Sequence, residues 1–250
     1  MAKAFRLDGW LADAHQGSRS ECRNMVRRGR VTVNGNKERN ISFSVNDDML
    51  ICVDGIAITA PRRSPLTVIM HKPLGYACSN DEREAPLIGE LVPKQWINEG
   101  LNSIGRLDRE TSGLLLMTTD GPLLHRLIHP KRKVGKRYQL TYSGTLCTNA
   151  MQLVTTGLVL EGDPKPCLPA SLEIHENGRA TMILHEGRYH QVRRMIQNLG
   201  GEVITLHRDR LGFLDLPADL EPGMVREIQT DELLAAQQSN DAALSERGSC

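Results

Sequence analysis

One aspartate in this chain stands in a setting suited to chemistry. Gly105-Arg106-Leu107-Asp108 runs into Arg109-Glu110-Thr111-Ser112-Gly113 and then into the apolar run Leu114-Leu115-Leu116-Met117. Arginines on both sides of Asp108 favour the ionised form of a carboxylate. The apolar run reads as a buried strand, so the acid is fixed at its entrance and not loose on a mobile loop. One fixed carboxylate can add to a sugar carbon or remove a proton beside it. Two further segments can serve such a reaction. Lys136-Arg137-Tyr138 offers an aromatic face behind cations, and Gly187-Arg188-Tyr189-His190-Gln191-Val192-Arg193-Arg194 offers cations that open a helix.

The elements that must position these groups follow from spacing. Leu7, Trp10, Leu11 and Ala14 recur at helical intervals. Ser18-Arg19-Ser20-Glu21 is a capping box that opens a second helix, with Cys22, Met25 and Val26 as its buried stripe and Gly29 as its stop. Arg19, Arg23 and Arg27 form a basic row beside that stripe. Asn34-Gly35 and Asp54-Gly55 each mark a hairpin between short alternating strands. Residues 1–60 are therefore read as one small unit, residues 61–66 as a linker, and residues 67–235 as a second domain. Residues 66–70, 114–118, 138–142 and 179–185 read as strands. Asp120 caps a helix over residues 123–128, and another helix starts near His190 and ends at Gly200-Gly201. Strands outnumber helices without βαβα alternation, which predicts an α+β fold with a mixed, mostly antiparallel sheet. Residues 236–250 read as a disordered tail.

The 250 residues are 40% apolar but only 4% aromatic, so Leu, Ile, Val and Met must fill the core. Six scattered cysteines without a C-x-x-C pair read as reduced thiols of a cytoplasmic protein. No apolar leader or membrane-length segment is evident, and a monomer is expected. The net charge of +1 says little, but its distribution says more. Residues 18–30 hold five arginines against Glu21 alone, and residues 121–138 hold six cations and no acid. Residues 186–194 add Arg188, His190, Arg193 and Arg194. Such clusters are the footprint of a phosphate-backbone partner, although each alone could be a solvated face.

Taken together, Lys72-Pro73-Leu74-Gly75-Tyr76, the Gly105–Gly113 segment, Lys136-Arg137-Tyr138 and Arg188-Tyr189-His190-Gln191-Val192-Arg193 resemble the RsuA-type branch of the pseudouridine synthases. Residues 1–60 resemble the S4 RNA-binding domain that precedes the catalytic domain there. The resemblance spans about residues 5 to 230. It implies isomerisation of a uridine in ribosomal RNA to its C-glycoside, without cofactor, metal or energy source. By the same resemblance Asp108 is the catalytic aspartate, Tyr138 stacks on the target base, Arg193 pairs with Asp108 and Val192 packs near the base. Arg19, Arg23, Arg27, Arg106, Lys136, His190 and Gln191 are the further residues expected to face RNA, with Arg106 and Thr111 shaping the loop around Asp108. Within this branch the substrate is small- or large-subunit rRNA. The form of the last motif, with Leu206-His207-Arg208-Asp209-Arg210-Leu211-Gly212, is closest to enzymes of 16S rRNA and implies U516 as the target, with 23S rRNA as the alternative.

Other readings of these residues are weaker. His125 and His129 have metal-ligand spacing, but no third ligand is evident and Pro130 ends their helix. Cys78 has no base partner that would make it a nucleophile. A glycoside hydrolase normally needs two carboxylates, and only Glu110 is near Asp108 in sequence. A binding-only S4 protein with a dead second domain would have no use for Asp108, Tyr138 and Arg193 together.

Overall fold

The computed structural model describes residues 3–237, which divide into two units, one ending at Pro65 and the other beginning at Leu66. In the first, β1 (Phe5–Arg6) leads into α1 (Leu7–Asp13) and α2 (Arg19–Arg27). Ser18 and Glu21 form the capping box, each accepting from the other's backbone N–H. Strands β2 (Val31–Val33), β3 (Asn36–Glu38), β4 (Ser44–Val45), β5 (Ile51–Val53) and β6 (Ile56–Ala57) follow. The tight turns lie at Asn34-Gly35 and Asp54-Gly55, where all four residues have positive φ. Leu7, Trp10, Leu11, Cys22, Val26, Val31 and Ile51 are fully buried between the helices and the strands.

Asp8 is also fully buried, accepting from Arg6 and, at 2.9 Å, from Arg23. Burial pushes this carboxyl up, but the Arg6 and Arg23 hydrogen bonds outweigh it and hold it at about 2. Residues 61–65 are not a free tether. Arg63 bonds Asp13 and Asp47 and lies over the Phe5 ring, which fixes it to the first unit. Leu66, placed in the linker by sequence, is 1% exposed and belongs to the core of the second unit.

The second unit is built on one sheet. Its strands are β7 (Thr67–Lys72), β8 (Asn102–Ser103), β9 (Ser112–Thr118), β10 (Lys136–Gly144), β11 (Ser171–His175), β12 (Arg179–Leu184), β13 (Gly201–Leu211), β14 (Leu214–Asp215) and β15 (Val225–Glu227). Spatial order is β11-β12-β10-β13-β9-β7-β15, with β14 beside β13 and β8 beside β9. Every strand pair is antiparallel except β13 with β9. The helices are α3 (Lys94–Asn98), α4 (Gly121–Ile128), α5 (Ala150–Thr156), α6 (Gln191–Asn198) and α7 (Thr230–Gln237). The fold is α+β with a mixed, mostly antiparallel sheet.

Strands β7 and β9 are buried on both faces, which explains their unbroken apolar runs. Val68, Met70, Leu115 and Met117 enter one core, and Ile69, Leu114 and Leu116 enter the other. Gly113 permits the parallel contact, because a Cβ there would stand 2.1 Å from the carbonyl oxygen of Arg208. Residues 236 and 237, read from sequence as tail, close α7, and Ala236 is fully buried. The remainder of that tail, 238–250, lies outside the described residues. Among those residues no helix is long and apolar enough to cross a membrane.

Candidate active site

Asp108 stands on the loop between β8 and β9, and the fold braces this loop from several directions. Beneath it lies Lys72, the last residue of β7, with no exposed surface. Its ammonium donates to the carbonyls of Thr111 at 2.9 Å and of Asp108 and Pro73 at 3.1 Å, with Arg109 farther at 3.5 Å. Burial lowers the Lys72 pKa from its ordinary value. The Thr111 N–H closes a turn onto the Asp108 carbonyl at 3.0 Å, and Gly75 N–H donates to the Arg109 carbonyl at 2.9 Å. Leu107 N–H donates to the buried Cys78 sulfur, and Arg109 donates to the carbonyl of Glu84. A loop bonded at this many backbone positions holds its side chain to a narrow range of places, as a reacting group requires.

The Asp108 carboxylate itself faces a cleft of about 960 Å³, and its side chain is about one-third exposed. The floor is one face of the sheet. Lys136 and Tyr138 lie two apart on β10 and so share that face, beside Leu184 of β12 and Leu206 and Arg208 of β13. Tyr138 is 8% exposed and lines the cleft. Arg208 is almost wholly buried and donates twice to the Leu114 carbonyl. Lys136 shares the floor. Burial, then the nearby charge of Arg208, brings its pKa down to about 8. The walls carry Arg106, Thr111, His190, Gln191 and Val192. The Thr111 hydroxyl is buried without a hydrogen-bond partner.

The structure gathers most of the residues singled out by sequence, but rearranges their contacts. Asp108, Tyr138, Arg106, Lys136, Val192, His190 and Gln191 line one cleft. The expected Arg193–Asp108 ion pair is not formed. Arg193, in the first turn of α6, reaches the Asp108 loop but donates to the carbonyls of Glu110 at 3.0 Å and Val203 at 3.2 Å. Helical side chains lean toward the helix N-terminus, which carries this guanidinium to the loop backbone instead of its carboxylate. The ionisable group beside Asp108 is His190, with Nε2 3.6 Å from Oδ1.

Gln191 does not offer itself to RNA. It is 4% exposed, accepts from the Arg188 N–H and donates to Glu186. The cations of residues 186–194 are likewise mostly engaged. Arg188 pairs with Asp163 and Glu186, and Arg194 pairs with Asp163. In the first unit Arg23 is held by Asp8, so only Arg19 and Arg27 of the basic row carry no ion pair among the described residues. Arg126, Lys131, Arg132 and Lys133 are also without one among those residues, whereas Arg137 is bonded to Asp209 and Asp215. His125 and His129 have ring centroids 5.5 Å apart. No described group of three or more His, Cys, Asp or Glu could hold a metal.

In the sequence Lys72 stands out only as the first residue of the Lys72–Tyr76 motif. Its parity with Val68 and Met70 in β7 is the signal that places it on the inward face.

Similarity to known proteins agrees with this geometry. Residues 66–198 match the RNA pseudouridylate synthase family and residues 5–61 match the S4 domain. The ribosomal small subunit pseudouridine synthase A of Pasteurella multocida is 34% identical over 229 residues, covering 92% of this chain and 98% of that protein. Its Vibrio cholerae counterpart is 35% identical over the same shares, and that of Escherichia coli K12 is 34% identical over 231 residues. A crystal structure of a pseudouridylate synthase superposes with a TM-score of 0.65 at 32% identity, covering 93% of this chain and 99% of that one. With a braced aspartate in a basic, tyrosine-floored cleft and relatives matched along nearly their whole length, the chain belongs to the RNA pseudouridylate synthase family and carries an S4 domain ahead of its catalytic unit.

Proposed function

We propose that this protein isomerises one uridine of small-subunit ribosomal RNA to pseudouridine, U516 of the 16S molecule, and that the Asp108 carboxylate is the reacting group. The observation that carries this reading is a partly exposed carboxylate on an immobilised loop, opening into a cleft large enough for a nucleotide. Relatives named for the small ribosomal subunit, matched over 98% of their length, support the choice of RNA.

The reaction needs the target base out of its stack, at a cost of a few kcal/mol. Stacking on Tyr138 returns ~1–3 kcal/mol of that. Asp108 then adds to C1′ as the N1–C1′ bond breaks and its electron pair passes to the uracil ring. In the alternative route Asp108 removes the C2′ proton and a glycal forms. In either route the ring turns and C5 bonds to C1′. In the first, the Asp108–C1′ ester bond breaks and frees the carboxylate. In the second, where the N1–C1′ bond breaks as the glycal forms, Asp108 returns its proton to C2′. The C5 proton then leaves, to water or through the Tyr138 hydroxyl, and N1 gains a proton. The atoms of uridine and pseudouridine are the same, so the balance calls for no co-reactant. Arg193 serves as a positioning residue by holding the Glu110 carbonyl, and Lys136 and Arg106 supply positive charge toward RNA oxygens.

The test is deletion of the gene followed by mapping of pseudouridines in both ribosomal RNAs. Loss of the 16S site, restored by the wild-type gene, is the expected result. Loss of a 23S site with the 16S site intact would overturn the target, and an unchanged map would overturn the function.

A further inference from the structure

We infer that Tyr189 and His190 form a stacking platform at the cleft mouth that takes the nucleobase next to the isomerised uridine. This rests on the proposed function and adds a second base-binding position to it. Tyr189 is 77% exposed, more than any other large apolar or aromatic side chain described. It contributes nothing to the core. One face of its ring lies flat on the His190 imidazole, with centroids 3.9 Å apart and planes 13° from parallel. Both residues line the same cleft as Asp108, and His190 is the group 3.6 Å from that carboxylate.

The platform is rigid and strained. His190 has φ 48° and ψ 33°, a left-handed backbone that is strained for a residue carrying a β-carbon. The flanks hold it there. Arg188 N–H bonds the Gln191 side chain, and the Arg188 guanidinium ties to Asp163 and to the carbonyls of Lys165 and Pro166. Arg194 bonds the Tyr189 carbonyl at 3.3 Å and Asp163 at 2.8 Å. The backbone on either side of this exposed ring is held in place, and the ring itself stacks on His190.

The ligand class follows from position and charge. The cleft beside the ring carries Arg106 and Lys136, without ion pairs among the described residues, which suits a phosphate backbone. Tyr138 occupies the floor, where the flipped uridine goes, so a ring at the rim meets a neighbouring base. That base has lost a stacking partner when the uridine swings out, and an aromatic face replaces it without regard to sequence.

The experiment compares wild-type protein with Tyr189→Ala, Tyr189→Phe and Tyr189→Trp. The substrate is an rRNA fragment containing the mapped uridine, either intact or with an abasic residue immediately 5′ or 3′ of it. Tyr189→Ala should raise KM by about 5- to 150-fold with kcat within about threefold. The Phe and Trp variants should stay near wild type, and the Ala penalty should vanish on one of the two abasic RNAs. An unchanged KM, a Phe variant as poor as Ala, or a penalty that persists on both abasic RNAs would overturn the platform. Wild-type protein that isomerises nothing in the intact fragment would instead refute the functional reading on which it rests.

Discussion

Replacing Lys72 with Met tests whether the fold, and not local sequence, sets the position of Asp108. Methionine keeps the length and volume of the chain while removing the charge and the donors. The three contacts at 2.9–3.1 Å to the carbonyls of Thr111, Asp108 and Pro73 disappear together. A hydrogen bond from a charged donor contributes ~1.5–3 kcal/mol net, so three give a gross loss of ~4–9 kcal/mol. Against this, the variant no longer holds a desolvated ammonium, which offsets several kcal/mol. The net destabilisation is therefore ~3 kcal/mol. In a unit of this size that lowers Tm by about 6–12 °C. Activity should fall further than stability suggests. Two of the freed carbonyls belong to the reacting loop, and a shift of ~1 Å at a reacting group costs ~100-fold in rate. Because Lys72 has no exposed surface, KM for RNA should stay within about threefold. Thermal denaturation and single-turnover kinetics below the lowered Tm measure both effects. A variant that melts with the wild type, or one that loses stability but keeps its kcat, would refute the reasoning.

The remaining expectations concern charge. The Lys136 pKa of about 8 lies below its unfolded value, so the unfolded chain binds more protons and stability rises between pH 8 and about 10.4. Lys136→Met should accordingly raise Tm at pH 7 by a few degrees, flatten that pH dependence, and weaken RNA binding. In the wild type, RNA affinity should fall as pH rises through about 8, where the cation is lost. A Tm that drops in Lys136→Met at pH 7 would contradict this assignment. In the first unit, Arg19→Ala and Arg27→Ala should each reduce the salt slope of RNA binding by about 1, as filter binding across a KCl series would show. Arg23→Ala should instead lower Tm by leaving the buried Asp8 with Arg6 alone, a loss of ~1–2 kcal/mol. Equal salt slopes for all three variants and the wild type would mean that the row faces only water.

Much of the fold was legible because its signals are local. The Ser18–Glu21 capping box, the Asn34-Gly35 and Asp54-Gly55 turns and the Leu114–Met117 run each depend on neighbours in the chain. Strand β13 was not legible, since His207, Arg208, Asp209 and Arg210 supply polar groups to both of its faces and leave no alternation to read. Helix α5 was missed because Ala150 and Val154 make too narrow a stripe in seven residues. At the site, the identity of the cleft residues could be read from motifs, but their bonding could not. Which carbonyls Lys72 and Arg193 reach depends on the path of a loop separated from them by tens of residues. Arg23 and Arg188 looked like free cations because Asp8 and Asp163, which neutralise them, are distant in sequence.

The account turns on Asp108 as the reacting group, and Asp108→Asn tests it with the least disturbance of shape. Purified wild type and variant are each given RNA from the deletion strain, and pseudouridine at the target site is counted over a single turnover alongside RNA affinity. The account predicts no detectable product from the variant, with Kd within about threefold of wild type and an unchanged Tm. Product formed at a comparable rate by Asp108→Asn would contradict it.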